Sequence, residues 1–206
     1  MRGLEFIIDN EVKKYELPTS WDEVSISQYS RLMKVLENDT INEVEMMIRT
    51  LEALLDIDAK LLVKVPLKYL KEVYVELEPL TKELPSNHLK KVIEIDNIEY
   101  GIIPDFDDLT LGEFADLDNY LQDAYANLDR IFAVLYRPVT KRIGDKYLIE
   151  DYTLKDIADR REIFADKMSI DTVIGALVFF CNIGRKFIES TLSSLEMENQ
   201  KQKRVA

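Results

Sequence analysis

The chain holds one cysteine, one histidine and six glycines in 206 residues, and each scarcity removes a class of chemistry. Cys181 has no second cysteine to pair with, so an intramolecular disulfide and a cysteine-based metal cluster are both excluded, and a reducing compartment is expected. Because Cys181 sits within the most apolar run of the chain, its thiol is expected to be buried and inert. His88 stands beside Asn87 with no Ser or Cys motif attached, so it reads as a solvated surface residue, not a general base. The glycines form neither GxGxxG nor GxxxxGK, and the backbone cradle that a phosphate needs is missing. Long apolar runs are missing too. The run from Ile174 to Ile183 is too short to cross a bilayer, and the opening MRGLEFIIDNEV carries no signal-peptide apolar core. A cytosolic, non-membrane protein is expected.

Positive charge is also scarce. Against 39 acidic residues stand 27 basic ones, a net charge of −12. Phosphate binding draws most of its affinity from Lys and Arg, so a nucleic-acid surface is not the expected main function. The 47% hydrophobic content is enough to offset the entropy of ordering, which predicts a folded chain.

The residues that are present repeat. Two β-prone runs, Glu5 to Ile8 and Val12 to Leu17, flank Asp9-Asn10-Glu11, and Asp and Asn favour a hairpin turn. Pro18 closes the hairpin. Ser25 with Gln28 has capping-box spacing ahead of the apolar positions Tyr29, Leu32, Val35 and Leu36. A second helix carries Val44, Met47, Ile48, Leu51, Leu54 and Leu55, capped by Asn42 or Thr40. A third starts near Pro66 and stops at Pro79. After Thr81 to Asn87 the pattern begins again, with a hairpin over Val92 to Ile103 turning at Asp96-Asn97, then Thr110 with Glu113. TSWDEVSISQYSRL (Thr19 to Leu32) lies over PDFDDLTLGEFADL (Pro104 to Leu117) without a gap, each position shifted by 85. Trp21 matches Phe106, Ser25 matches Thr110, Gln28 matches Glu113, and Tyr29 matches Phe114. Each pair keeps its physical role, which points to internal duplication.

The second half then departs from the first. A helix is expected from Leu121 to Tyr136, ending at Arg137-Pro138 because a proline disfavours helix in the residue before it. A third hairpin is expected over Val139 to Tyr152, turning at Gly144-Asp145. Thr153 with Asp156 opens a short polar helix. Ser169 opens the longest helix, whose apolar positions run to Leu192. The fold class is α+β, mainly helical: a tandem duplicated β-hairpin-plus-helices unit with a long C-terminal helix. The units are 1–80 and 92–195, with a linker at 81–91 and a polar tail at 196–206.

Carboxylates are the ambiguous signal. Asp105, Asp107 and Asp108 precede a helix, and Glu113, Asp116 and Asp118 come after them. They lack the order of a calcium-binding loop, while acids there also complement the helix dipole. No catalytic residue, metal or cofactor is assigned. Arg137, in LYRPVT, suits either hydrogen bonding to terminal helix carbonyls or an exposed partner contact. The segment beyond Arg137 has no counterpart in the first half, so partner binding is expected around Tyr136, Arg137, Phe180 and Phe187. The long final helix is also a candidate for a homo-oligomer interface.

LPTSWDEVSISQYSRL, following a short hairpin, resembles small acidic proteins encoded among the structural genes of tailed bacteriophages. LTLGEFADLDNYLQDAYANLDRIFAVLYRPVTKRIGDKYLIEDY is similar to proteins of phages infecting Bacteroidetes and related bacteria. The resemblance implies a tail assembly chaperone in the host cytoplasm, with the tape-measure protein or another tail protein as its partner. The alternative reading is a virion component of the tail or head–tail junction. A metal-dependent phage enzyme using the Asp105–Asp118 carboxylates is a third reading.

Overall fold

The computed structural model describes residues 1–77, 80 and 88–179. It is α+β and mainly helical, with two small antiparallel sheets. The first hairpin pairs β1 (Arg2–Ile8) with β2 (Glu11–Leu17). Its turn residues Asp9 and Asn10 have φ of 53° and 66°, and Asp96 and Asn97 repeat this at 53° and 62°. Successive left-handed residues match the twist of a two-residue hairpin, and Asp and Asn tolerate that region better than other side chains do.

A pair of matched helices follows each hairpin. In the first unit, α1 (Ile26–Leu36) leads to α2 (Glu43–Leu55), then to the short α3 (Ala59–Leu62) and to α4 (Leu67–Glu76). In the second, β3 (Val92–Ile95) and β4 (Ile98–Ile102) lead to α5 (Leu111–Leu121) and α6 (Leu128–Leu135). Both ends of α1 and α5 are related by the 85-residue shift, and so are the starts of α2 and α6. Each first helix opens on a complete capping box. Ser25 Oγ accepts from the Gln28 N–H while Gln28 Oε1 accepts from the Ser25 N–H (3.2 and 2.9 Å). Thr110 and Glu113 do the same at 3.3 and 2.7 Å. The reciprocal bonds satisfy two donors that a helix start otherwise leaves orphaned.

The expected helix from Leu121 to Tyr136 is two elements. A 3-10 turn at Tyr125–Asn127 separates α5 from α6. Asn127 matches the helix cap Asn42 in sequence but does not cap with its side chain. Its amide donates to the carbonyls of Asp123 (2.9 Å) and Tyr120 (3.4 Å), which ends the preceding turn. The third hairpin, β5 (Tyr136–Ile143) and β6 (Lys146–Ile149), starts earlier than expected, because Tyr136, Arg137 and Pro138 pair with β4 and are strand. This joins two hairpins into one sheet ordered β3-β4-β5-β6. Gly101 makes room for the join: a Cβ there would lie 2.4 Å from the Tyr147 ring. The Tyr147 hydroxyl donates to the Ile102 carbonyl at 2.8 Å, binding β6 back over β4.

The polar segment after Thr153 forms α7 (Leu154–Lys167), which packs on both α1 and α6. Its buried Ile157, Arg160 and Phe164 face inward, and the Arg160 guanidinium donates to the Ala133 carbonyl of α6 (2.7 Å). Residues 170–179 are helical and are labelled α8. Phe6, Leu17, Leu54, Tyr100, Phe132, Phe164 and Val173 belong to a single buried cluster, so both units share one core. Of the expected linker at 81–91, residues 88–91 are held against the body, and 81–87 lie outside the described residues. A Cβ on Gly175 of α8 would sit 2.3 Å from the His88 carbonyl oxygen, and Lys90 and Lys91 carbonyls accept from Tyr136 and Tyr147.

Candidate functional site

The expected partner residues separate. Phe180 and Phe187 lie outside the described residues. Tyr136 and Arg137 are buried, which corrects their assignment as partner contacts. The Tyr136 hydroxyl donates to the Lys90 carbonyl at 2.6 Å, and its ring stacks on Phe132 at 5.9 Å. Arg137 does not bond terminal helix carbonyls. Its Nη2 lies 2.6 Å from Oε1 of Glu113, an equally buried carboxylate. One carboxylate thus closes a capping box with one oxygen and fixes β5 with the other. In the first unit the matching Gln28 spans the same gap as a neutral amide, donating to the Leu54 carbonyl near the end of α2 (2.8 Å).

Burial pushes the Tyr136 phenol well above its ordinary value of 10.0, and the nearby Tyr147 pushes it in the same direction. The fold therefore favours the neutral phenol. Unfolded chains ionise near the ordinary value, so this contribution is complete below it and is lost as pH rises above it. Replacing Tyr136 with Phe is expected to flatten the alkaline fall of the thermal midpoint above about pH 10, at a cost of about 1 kcal/mol at neutral pH from the lost hydrogen bond. Equal alkaline slopes for both proteins in a thermal-melt series would contradict this.

The acid cluster is divided among structural duties. Glu113 is held by Arg137 and Thr110, Asp116 accepts from the Tyr152 hydroxyl, and Asp105 accepts from the Asp107 N–H at 3.0 Å. Among the described residues, no three His, Cys, Asp or Glu side chains converge as a metal-ion site. No helix of the described residues is long and apolar enough to cross a membrane.

The duplication exposes a different feature, because each unit serves as a control for the other. In the first unit the start of α1 is covered. The Ile26 N–H donates to the Met168 carbonyl (3.2 Å), and the Ile170 N–H donates to the Val24 carbonyl (2.8 Å), forming an isolated bridge between Ser25 and Ser169. Ile26 is 2% exposed beneath it. The matching residue of the second unit, Leu111, is 84% exposed, and no such bridge reaches it among the described residues. Tyr29 is half-buried and edge-on to Trp21, with centroids 5.8 Å apart. Its match Phe114 is 59% exposed, and Phe106, the match of Trp21, lies instead against Phe179 of α8 (6.3 Å). Leu111, Phe114, Asp118 and Leu121 recur at three- and four-residue steps and therefore share one face of α5. Leu121 is exposed, and Tyr125 follows in the 3-10 turn, also exposed and near enough to Tyr29 to help burial raise its pKa.

Sequence reasoning missed this face because Leu111 and Phe114 carry the same pattern as the buried Ile26 and half-buried Tyr29 of α1, while Leu121 and its match Leu36 are exposed in both units. Only the exposure of the first two matched positions distinguishes the two helices. No family model, curated protein or solved structure matches the chain.

Proposed function

We propose that the chain is a non-enzymatic assembly protein of a tailed bacteriophage, acting in the host cytoplasm, which holds another protein on the outer face of α5. The role is that of a tail assembly chaperone toward the tape-measure protein. One observation carries the binding part of the reading: Ile26 is sealed by residues 168–170 and α7, while its duplicate Leu111 stands open on a row of apolar side chains. A fold that covers the start of this face in one copy and leaves it open in the other retains a surface suited to an external segment. Contiguous exposed apolar surface rimmed by polar groups marks interaction sites in soluble proteins. The identity of the partner rests on the resemblance of the two long sequence strings to phage structural-gene products.

The reading makes a direct prediction. The chain co-purifies with the tape-measure protein when the two are made together, and mass spectrometry of purified virions does not find it. Recovery from virions at a fixed, symmetry-related copy number would move the assignment to a structural component of the tail or head–tail junction. Failure to co-purify with any tail protein would contradict both.

A further inference from the structure

We infer that the occupant of the α5 face is a cationic amphipathic helix. This rests on the reading of that face as a docking surface and adds the chemistry of what docks. Leu111, Phe114 and Leu121 extend over about 15 Å of helix at a rise of about 1.5 Å per residue, the length over which a partner helix presents anchors at successive turns. The surroundings set the charge. From Asp105 to Asp129 the chain carries Asp105, Asp107, Asp108, Glu113, Asp116, Asp118, Asp123 and Asp129, with no Lys or Arg among them. Arg137 neutralises Glu113, and Arg161 pairs with Asp129 at 2.9 Å. Asp105, Asp107, Asp108, Asp118 and Asp123 are exposed and have no ion pair with a described cation.

The covered unit contrasts with this. Its matching stretch, Ser20 to Val44, includes Arg31 and Lys34, and Arg31 pairs with Asp56. The stretch that carries the open face is therefore the more acidic one, and the next cation in sequence, Arg130, lies over the Tyr120 ring at 5.7 Å. A second copy of this chain, with a net charge of −12, would bring like charge onto it, as would a nucleic acid or an anionic lipid surface. A helix with leucines on one side and lysines flanking them meets both the apolar residues and the carboxylates of Asp118, within the row, and Asp123, just past its end.

The test uses the full chain and three synthetic peptides with leucines at the same helical positions. The flanking residues are Lys in the first, Gln in the second and Glu in the third. Fluorescence anisotropy is expected to show one-to-one binding of the Lys peptide, with the Gln peptide about tenfold weaker and the Glu peptide weaker still. Raising salt from low to high weakens the Lys peptide by about tenfold, since screening acts on exposed charges. Phe114→Glu with Leu121→Glu abolishes binding, and Asp118→Lys with Asp123→Lys reverses the preference toward the Glu peptide. Both double variants change exposed side chains, so their thermal midpoints should stay near that of the parent chain. Equal binding of Lys and Gln peptides, lost on Phe114→Glu, would overturn the cationic inference and leave the docking face intact. Undiminished binding to Phe114→Glu/Leu121→Glu would overturn the assignment of the peptide to α5. Absence of binding by the Lys peptide overturns the inference, while co-purification with a tail protein judges the docking face separately.

Discussion

Replacing Arg137 with methionine is expected to destabilise the protein by about 3–5 kcal/mol, read as a lower urea midpoint with an unchanged slope. The cost comes from Glu113. Its carboxylate is buried, and Arg137 is the cation that faces it at 2.6 Å. Removing the guanidinium leaves a charge in a poorly solvating site, which costs far more than the pair gains when intact. The pair itself is imperfect, since Arg137 Nε makes no hydrogen bond and its desolvation goes uncompensated. Adding Glu113→Gln to Arg137→Met is therefore expected to recover most of the loss. A glutamine keeps the acceptor for the Thr110 N–H, as Gln28 does for Ser25 in the first unit. Destabilisation by the single variant under about 1 kcal/mol would contradict the assignment of Glu113 and Arg137 as a mutually dependent pair.

The second large effect is expected at Phe164. Its ring is fully buried on α7 and meets Tyr100 of β4 edge-on, with centroids 5.0 Å apart and planes at 75°. Phe164→Ala removes that contact and leaves a cavity, at a cost of about 3–5 kcal/mol. The location gives the experiment its use. Trp21 is the single tryptophan of the chain and lies in the first unit, packed on Tyr29. If both units melt as one cooperative body, Trp21 fluorescence and far-UV ellipticity lower their midpoints together in the variant. A Trp21 transition that stays put while ellipticity shifts would mean that the units unfold separately, contrary to the shared core.

Local chemistry was legible in the sequence. The Ser25–Gln28 and Thr110–Glu113 capping boxes and the Asp-Asn turns form where residue type and spacing require them, because the groups that satisfy one another are within four positions. The helix break before α6 was not legible. Leu121, Ala124, Tyr125 and Leu128 continue a helical period, and only the Asn127 amide, turned back onto Tyr120 and Asp123, shows where the helix stops. Arg137 was misread for a related reason: its partner Glu113 lies 24 positions earlier in sequence, on α5, and only the tertiary fold brings the two together. The polar look of α7 likewise concealed its place between α1 and α6. Four of its residues are Lys or Arg, yet Arg160 is buried and serves the end of α6. The open start of α5 was not legible for the opposite reason, since Leu111 and Phe114 obey the same pattern as Ile26 and Tyr29 and differ from them in exposure.

The most direct test of the open face compares double variants of the two duplicated helices for retention of the tape-measure protein proposed as the partner. Phe114→Glu with Leu121→Glu alters the uncovered helix, whereas Met33→Glu with Leu36→Glu places the same charges on α1, the helix against which α7 packs. Both variants should keep the parent's cooperative melt closely enough to be compared as folded proteins. The expected result is that the α5 variant releases the tape-measure protein while the α1 variant retains it. Retention by the α5 variant at the parent's level would contradict the role assigned to that face.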